Sequence, residues 1–344
     1  MDHHEAEHTR KKLQNIPTGM FYRMTHTKEG STTSCYDRFY ESSESIGKVE
    51  TFLLYPGIKL SFLYFLADQT VCRHQSDRGI LEINYCRFGR SGWNMNHAGT
   101  LYLGAGDCSI HTRNLCANSV MTFPNGYYEG LSIQIDLCQF SEHPPELIQE
   151  AGITGAQICR KFCANGSFSV LPGCEKTASI FSGFYDLPTS LQIPYCKLKL
   201  QELILYLYKI DYQLTKEPNR YQAEQIHIIK QVHDLLTENL EQRITIETLA
   251  KQFLMNPSTL KATFKAVYGN SIAAHIKEHR MEKASVLLRE TDKSVAQISR
   301  EVGYESQSKF STEFRKVFHM LPSEYRKTHH EVISSLNSGE NHSK

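Results

Sequence analysis

The sequence predicts an α+β protein, with an antiparallel β-barrel in its N-terminal half and an all-α domain in its C-terminal third. Three observations predict this division. Short alternating apolar runs, separated by Gly, Pro, Asn and Asp, fill residues 48–140. Helical periodicity begins near residue 141. Between residues 244 and 326 one helix-turn-helix pattern occurs twice, which gives two such motifs joined by a linker helix.

The composition permits nucleic-acid binding but does not demand it. The 344 residues carry a net charge of +1, and residues 221–328 contain 16 Lys and Arg against 13 Asp and Glu. That basic excess is too small to identify a nucleic-acid partner alone. No apolar run reaches the ~18 residues of a membrane span, and the N-terminal MDHHEAEHTRKK has no signal-peptide core. We therefore expect a cytoplasmic protein without a membrane partner.

Two copies of the helix-turn-helix pattern lie 49 to 50 residues apart. Copy one is ITIETLAKQFLMNPSTLKATFKAVYG, and copy two is KSVAQISREVGYESQSKFSTEFRKVF. Apolar positions recur every three or four residues, which predicts one buried helical face. The offset grows by one at the turn, where an inserted residue costs least. The alignment pairs Phe253 with Val302, Leu260 with Phe310 and Phe264 with Phe314.

Capping residues mark where these helices begin. Asn256 followed by Pro257 predicts that the second helix of copy one begins at Pro257 or Ser258. Ser294 and Gln297 have the spacing of a capping box, which predicts the first helix of copy two.

The turn differs between the copies. Gly303 stands between the helices of copy two, where the chain must turn sharply. Leu254 fills that place in copy one, so we expect its turn to be strained or differently shaped.

The run from Ile298 to Arg326 ends in the sequence PSEYR and carries regularly spaced aromatic residues. Its defining residues are Gly303, Tyr304, Phe310, Phe314, Phe318, Pro322, Ser323, Tyr325 and Arg326. This run resembles the signature of the AraC/XylS family of bacterial transcription regulators, and the resemblance covers residues 222–328. His319 and Met320 stand where the family usually has a glycine, and Tyr304 replaces the commoner phenylalanine. The segments MNPSTLKATFKAVYG and VGYES also resemble, more weakly, the pyochelin-regulator branch.

The N-terminal 140 residues divide into an arm and a strand-rich region. Residues 1–47 are polar, which predicts a flexible arm with a helix near Lys11 to Ile16. From Val49 to Leu137, six runs have the length and spacing of strands and predict an antiparallel barrel or double sheet. They are VETFLLY, IKLSFLYFL, GILEINYCRF, TLYLGAGDCSIH, SVMTFP and YEGLSIQIDL. The family resemblance implies a cupin-like, effector-binding barrel over residues 48–140.

Histidines in this region do not form a metal motif in the sequence. A metal-binding cupin would show a closely spaced HxH pair and a following Glu, whereas here only an isolated His74 precedes Glu82. His97 and His111 also stand alone. We therefore expect no metal, no cofactor and no enzymatic activity.

Ten cysteines lie between Cys35 and Cys196. No CxxC pair occurs, and the closest pair is Cys159 and Cys163. Free thiols in a reducing compartment are the expected state, because zinc sites usually show two close ligand pairs.

Aromatic and cationic residues of the strand region could bind a small molecule. Within GILEINYCRF, alternate residues share one strand face, and such groups suit an anionic or aromatic effector. The candidate effector-binding residues are Tyr85, Arg87, Arg90, Trp93, His111 and Arg113. Alternatively, the aromatic residues belong to the core and the arginines are solvated. The pyochelin-regulator resemblance implies an iron-siderophore effector.

Residues 141–214 are predicted to be helical, and their last helix carries a leucine seam. Steps of three and four residues connect Leu200, Leu203, Leu207, Ile210 and Leu214. This spacing is typical of a coiled-coil interface, which predicts a homodimer. With two heptads, the seam could instead pack on the barrel.

The sequence TKEPNR predicts a linker at residues 215–221. The DNA-binding domain then opens with a helix from Ala223 to Asn239, and Ile272 to Arg289 form one continuous helix between the repeats. At ~1.5 Å per residue, that helix spans ~27 Å, close to the ~34 Å between successive major-groove faces. Residues 329–344 are predicted to form a disordered tail.

The exposed faces of the second helices are the predicted contacts to double-stranded DNA, because a helix fits the major groove. In copy one they are Ser258, Thr259, Lys261, Ala262 and Lys265, and in copy two Gln307, Ser308, Lys309, Thr312, Arg315 and Lys316. Copy two should discriminate bases better, while Lys265, Arg315 and Lys316 should contact phosphates. The alternative for each residue is a solvated helix face.

These expectations describe a regulator that binds an operator as a homodimer, senses a small molecule and contacts RNA polymerase. Two alternatives stay open. One is a cupin-like enzyme with a DNA-binding tether, and the other is a DNA-binding adaptor that needs no effector.

Overall fold

A computed structural model describes residues 3–27, 31–38, 44–95, 100–164, 168–211 and 223–328. The chain divides into two compact units, residues 2–223 and 224–344. The predicted linker at 215–221, the predicted tail at 329–344, Leu214 and His97 all lie outside the described residues.

The N-terminal unit is built on a β-sheet. Its strands are β1 (Met20–His26), β2 (Thr32–Arg38), β3 (Ile46–Tyr55), β4 (Ile58–Leu66), β5 (Gln69–Cys72), β6 (Ile80–Asn94), β7 (Thr100–Gly104), β8 (Cys108–Thr112), β9 (Ser119–Thr122), β10 (Tyr127–Asp136) and β11 (Ser169–Leu171). The six predicted runs coincide with strands β3, β4 and β6–β10, while β1, β2, β5 and β11 lie outside those runs. Hydrogen-bonded neighbours follow the order β11-β8-β6-β10-β4-β3-β1-β2, and β5, β7 and β9 branch from this path.

These strands do not close into the predicted barrel. Among the described strands, the path ends at β11 on one side and β2 on the other without closing. Most pairs are antiparallel as expected, but β1 runs parallel to β3. Strand spacing along a chain indicates that a sheet forms, whereas closure depends on which distant strands pair.

The predicted flexible arm is largely ordered. Helix α1 (His3–Leu13) and strands β1 and β2 occupy its described residues. Leu13 of α1 is buried in the core of the unit, and the imidazole of His8 lies 2.9 Å from the carboxylate of Glu129. The polar composition is explained by β2, whose seven residues are all exposed.

Helices cover one part of the sheet. They are α2 (Leu137–Glu142), α3 (Glu146–Glu150), α4 (Gly155–Phe162), α5 (Glu175–Ser182) and α6 (Thr189–Lys209). Their apolar faces join the sheet residues in one core cluster. No helix in the described ranges is both long and apolar enough to cross a membrane.

The leucine seam of α6 faces this core. Leu200, Leu203 and Leu207 are buried among sheet and helix residues, and Ile210 packs against the same cluster. The predicted dimerisation residues therefore already have partners within their own unit, and a subunit interface through them stays a prediction that this packing does not favour. The spacing correctly identified an apolar helical face, but the sheet covers that face.

The C-terminal unit contains α7 (Ala223–Glu238), α8 (Ile246–Gln252), α9 (Pro257–Tyr268), α10 (Ile272–Glu290), α11 (Val295–Glu301) and α12 (Gln307–Phe318), and residues 322–328 are helical. These bounds agree with the duplicated pattern, including the single long helix between the copies. Around copy two, α10, α11 and α12 share a core that includes Met281, Ile298, Phe310 and Phe314.

Candidate nucleic-acid interface

The second helix of each copy begins at a capped residue. The side chain of Asn256 accepts a hydrogen bond from the backbone N–H of Ser258 at 2.9 Å. In copy two, the hydroxyl of Ser306 accepts one from the N–H of Lys309 at 3.2 Å. These caps fix the starts of α9 and α12, directly before their exposed polar residues. The predicted capping box of Ser294 and Gln297 is also present.

Both copies turn through the same left-handed conformation. Gly303 has a φ of 79°, and Leu254 at the equivalent place has a φ of 50°. Each turn also closes with an equivalent backbone hydrogen bond, which in copy one runs from the N–H of Met255 to the carbonyl of Ala250 (2.9 Å). Leu254 is 94 % exposed, so packing of its side chain does not offset the free-energy cost of its left-handed backbone conformation. The predicted strain in copy one is therefore confirmed.

At the C-terminal ends of α9 and α12 the glycine and the non-glycine residue are reversed between the two copies. Gly269 ends α9 with a φ of 86°, and His319 ends α12 with a φ of 59°. His319 thus adopts the conformation for which a glycine is usual, which explains how copy two tolerates the departure at this position. Each copy therefore has one glycine and one other residue at its two left-handed positions.

Buried aromatic residues hold α12 in place and determine its exposed face. Phe310 and Phe314 are fully buried, and the rings of Phe318 and Tyr325 pack on Phe314 at centroid distances of 4.4 and 5.3 Å. The side chain of Arg326 donates to the backbone carbonyl of Leu288 (3.3 Å), which ties the last helical segment to α10. The aromatic signature residues therefore build the frame and not the contact surface.

The predicted DNA-contacting residues lie on the opposite faces of α9 and α12. Ten of the eleven are exposed, and Thr259 is half-buried. Gln307 and Lys309, in the first turn of α12, are both exposed. A concavity of about 490 Å³ follows this face of α12. It is lined by Ser308, Ser311, Thr312, Arg315, Lys316 and Leu321.

One acidic side chain lies within this basic surface. Glu313 pairs with Lys277 of α10 and with Lys316 at 2.7 Å. Hydrogen bonds from these two lysines hold the pKa of Glu313 below its usual value. Lys316 is therefore positioned by Glu313, and a phosphate at this place would compete with that carboxylate.

Arg280 of α10 connects the two helix-turn-helix copies. Its Nη1 donates to the carbonyl of Gly303 at 3.1 Å, in the turn of copy two. Its Nη2 donates to the carbonyl of Gln242 at 3.0 Å, just before copy one. The guanidinium also lies over the ring of Tyr304 at 5.9 Å. Because one planar group binds both places, it fixes the two copies relative to each other.

Replacing Arg280 with alanine should lower the free energy of unfolding of this unit by about 2 kcal/mol, because two charge-assisted hydrogen bonds are lost. Differential scanning calorimetry of the full chain measures this loss. Arg280→Lys keeps the charge but cannot bind both carbonyls, so it should retain only part of the stability. Equal melting temperatures for wild type and Arg280→Ala would contradict the bridging role.

The six predicted effector residues fall into groups with different contacts. Tyr85 stacks on Phe181 with centroids 4.0 Å apart, and Arg87 binds Glu129 at 2.8 Å and Asp186 at 2.9 Å. Arg90 lies beside Gly104 of the neighbouring strand β7. Tyr85 therefore belongs to the packing of the unit, as the sequence-based alternative allowed, whereas Arg87 belongs to an ion-pair network and is not simply solvated.

Trp93, His111 and Arg113 form a separate group. The rings of Trp93 and His111 meet edge to face at 5.7 Å, and Arg113 Nε lies 3.6 Å from Glu82 Oε1. Trp93 and His111 are buried. Strand alternation could not show this division, because β6, at 15 residues, changes its pairing partners along its length.

Comparisons with known proteins agree with the geometry of the C-terminal unit. Residues 249–328 match a family model described as a helix-turn-helix domain. The lactose operon transcription activator of Staphylococcus xylosus is 33% identical over 137 residues, which cover 39% of this chain and 48% of that protein. The chain thus spans about half the length of that relative.

Two further likenesses concern the same part of the chain. The regulatory protein SoxS of Salmonella typhimurium is 31% identical over 99 residues, 29% of this chain and 92% of that protein. The solved C-terminal domain of AraT, a response regulator from Geobacillus stearothermophilus, is 31% identical, covers 29% of this chain and 84% of that one, and has a TM-score of 0.29.

Proposed function

This chain belongs to the AraC/XylS family of transcription regulators, and we propose that it binds an operator through α9 and α12 in neighbouring major-groove segments. One observation carries the proposal. Two capped helices of the same unit expose their predicted contact residues while their opposite faces are buried, and both helices pack on α10. Helix α10 has 19 residues, so at ~1.5 Å per residue it spans a little under one ~34 Å helical turn of DNA.

Base discrimination should depend more on copy two. Gln307 can donate to and accept from adenine, and Lys309 can donate to the guanine acceptors. Both lie in the first turn of α12, the end of a recognition helix that enters the groove. In copy one, Lys261 is the only long donor among the predicted base-contacting residues, and Ala262 can contact a thymine methyl group.

The groove and phosphate faces of α12 can be separated by two alanine variants. Lys309→Ala should weaken binding at the cognate site by ~1–3 kcal/mol and relax the preference at one base pair, because it removes a base contact. Lys316→Ala should weaken all sequences alike and reduce the salt dependence, because it removes a phosphate contact. Enrichment from a random duplex library by the full chain gives both the site and the preferences.

Circular dichroism checks that both variants are folded. If Lys309→Ala keeps the wild-type base preferences, the assignment of the two faces is wrong. If neither lysine changes binding, the proposed use of α12 fails.

The N-terminal unit is proposed to sense a small molecule, as the family resemblance implies. RNA polymerase is a further proposed partner, and the cytoplasm is the proposed location. The weaker resemblance to the pyochelin-regulator branch favours an iron-siderophore. Thermal-shift measurements against siderophores and other metabolites distinguish this sensor from an effector-independent adaptor, since only the sensor is stabilised by a ligand.

A homodimer remains part of the proposal, but through a different face of α6. Leu191, Tyr195, Leu198 and Tyr208 are exposed on this helix. The first three are separated by four and three residues, the spacing of a helix pair. A second copy of α6 is therefore the proposed partner of this face.

A further inference from the structure

Four side chains with metal-binding atoms meet in the N-terminal unit, although 42 residues separate the first from the last. Glu82 of β6 and His111 of β8 are direct cross-strand partners. Cys116 follows the 3₁₀ turn at Arg113–Leu115, and His74 lies between β5 and β6. Glu82, His111 and Cys116 are buried, and His74 is half-buried. Sheet register thus unites residues that stand alone in the sequence.

The separations of the ligand atoms suit a zinc ion. Cys116 Sγ lies 3.5 Å from His74 Nε2 and 3.4 Å from Glu82 Oε2, and the ligand atoms of these three residues all lie within 4.8 Å of one another. His111 Nε2 contacts two of them, at 3.4 Å from Cys116 Sγ and 3.5 Å from Glu82 Oε2. Zinc bonds of ~2.0–2.3 Å place tetrahedral ligand atoms roughly 3.3–3.8 Å apart, and these four separations fall in that range.

Neighbouring groups orient the ligands. Gln134, the partner of Glu82 on β10, donates to Glu82 Oε1 at 3.0 Å, which leaves Oε2 for the cluster. The Nδ1 of His74 lies 3.1 Å from the carbonyl of Gln75. With the proton on Nδ1, that contact is a hydrogen bond and the Nε2 lone pair faces the cluster. Such outer contacts are typical of metal-binding histidines and carboxylates.

The cluster places a carboxylate, a thiol and two imidazoles in a small space, where Glu82, His111 and Cys116 are buried. A divalent cation would bind the carboxylate, the thiolate and the imidazole of His74 together.

We propose that His74, Glu82 and Cys116 bind one zinc ion through Nε2, Oε2 and Sγ, with His111 Nε2 beside Glu82 and Cys116. Thiolate and imidazole ligands favour Zn²⁺ over Mg²⁺ or Ca²⁺. Binding releases the thiol proton to solvent and involves no redox change. This site is independent of DNA binding, and it replaces the sequence-based expectation that His74 and His111 stand alone.

The test uses the full chain after chelator treatment, with a non-thiol reductant, titrated with Co²⁺ as a spectroscopic substitute for Zn²⁺. We expect one cobalt per chain with a thiolate charge-transfer band in the near ultraviolet, and we expect Zn²⁺ to abolish the band. A second cluster, His233, His275 and His279, could also bind an ion. It has no thiolate, so it cannot produce this band.

Variants test whether the band arises at the proposed site. Cys116→Ser should abolish it. His74→Ala should lower cobalt affinity at least about 100-fold, and Gln134→Ala, which removes an orienting contact, roughly 10–100-fold. His74 lies outside the strands and is only half-buried, so its variant should fold. His143→Ala, at an exposed histidine of the same unit, and His279→Gln should leave the band unchanged.

Three results would overturn the proposal: no thiolate band with the wild type at stoichiometric cobalt, a band that survives Cys116→Ser, or equal cobalt affinities for His74→Ala and His143→Ala. Loss of DNA binding with an intact band would instead count against the proposed function alone.

Discussion

Gly303→Ala is expected to lower the free energy of unfolding of the C-terminal unit by about 3 kcal/mol and to weaken DNA binding. The φ of 79° costs any other L-residue about 1–2 kcal/mol. A Cβ at this place would also lie 2.4 Å from the backbone carbonyl oxygen of Leu240 and 2.6 Å from Nη2 of Arg280. Because the first contact is with backbone, a side-chain movement cannot relieve it.

The matched control is Leu254→Gly at the equivalent turn of copy one. Leu254 is almost fully exposed, so its replacement removes backbone strain without removing core packing. We expect a gain of roughly 0.5–1 kcal/mol, less than the full strain because glycine is also freer in the unfolded chain.

Calorimetry of the full chain measures the stability of both variants. Hydrogen exchange of α8, α9, α11 and α12 identifies which helix-turn-helix copy has changed. Opposite signs at the two turns are the expected pattern. A stable Gly303→Ala with wild-type exchange in α11 and α12 would show that the close approach to Leu240 is not maintained in solution.

Leu203→Glu is expected to unfold the N-terminal unit, at a cost above about 4 kcal/mol. Leu203 is 0 % exposed within the core shared by α6 and the sheet. The variant loses the buried leucine and places a carboxylate where the core offers it mainly apolar neighbours. Since a domain is typically stable by about 5–15 kcal/mol, this change removes a large part of the total.

Leu198→Glu on the same helix provides the matched control. Leu198 is 52 % exposed, so the charge stays in solvent and the stability should change by less than about 0.5 kcal/mol. If the exposed face of α6 joins two subunits, this variant should nevertheless sediment as a folded monomer. Calorimetry and sedimentation velocity of both variants separate folding from assembly.

A folded, monomeric Leu203→Glu would restore the leucine seam as the subunit interface. A dimeric Leu198→Glu would remove the exposed face of α6 from the proposal.

Local patterns were sufficient for the helices and most strands. Capping at Asn256 and Ser294 requires only residues two or three positions away. Periods of two and about 3.6 separate buried from exposed positions within one element. Consequently, the exposed faces of α9 and α12 were predictable residue by residue, whereas β1 and β2 were missed because their polar residues show little burial pattern.

Contacts between distant elements could not be read in this way. The six predicted effector residues lie in different groups because β6 changes its pairing partners along its length. The leucine seam of α6 packs against the sheet of its own unit. His74, Glu82, His111 and Cys116 met because Glu82 lies opposite His111 in the antiparallel register. A shift of one residue would have moved one of these side chains to the other face.

The amino-acid sequence by itself determined that this protein repeats a helix-turn-helix, where those helices begin, and which residues they expose. Each of these properties depends on neighbours within one or two helical turns. The tertiary structure alone decided that Arg280 joins the two copies, that the leucines of α6 are internal, and that four isolated polar residues form one cluster. Those outcomes depend on strand register and on packing between elements, which place side chains together irrespective of their separation along the chain.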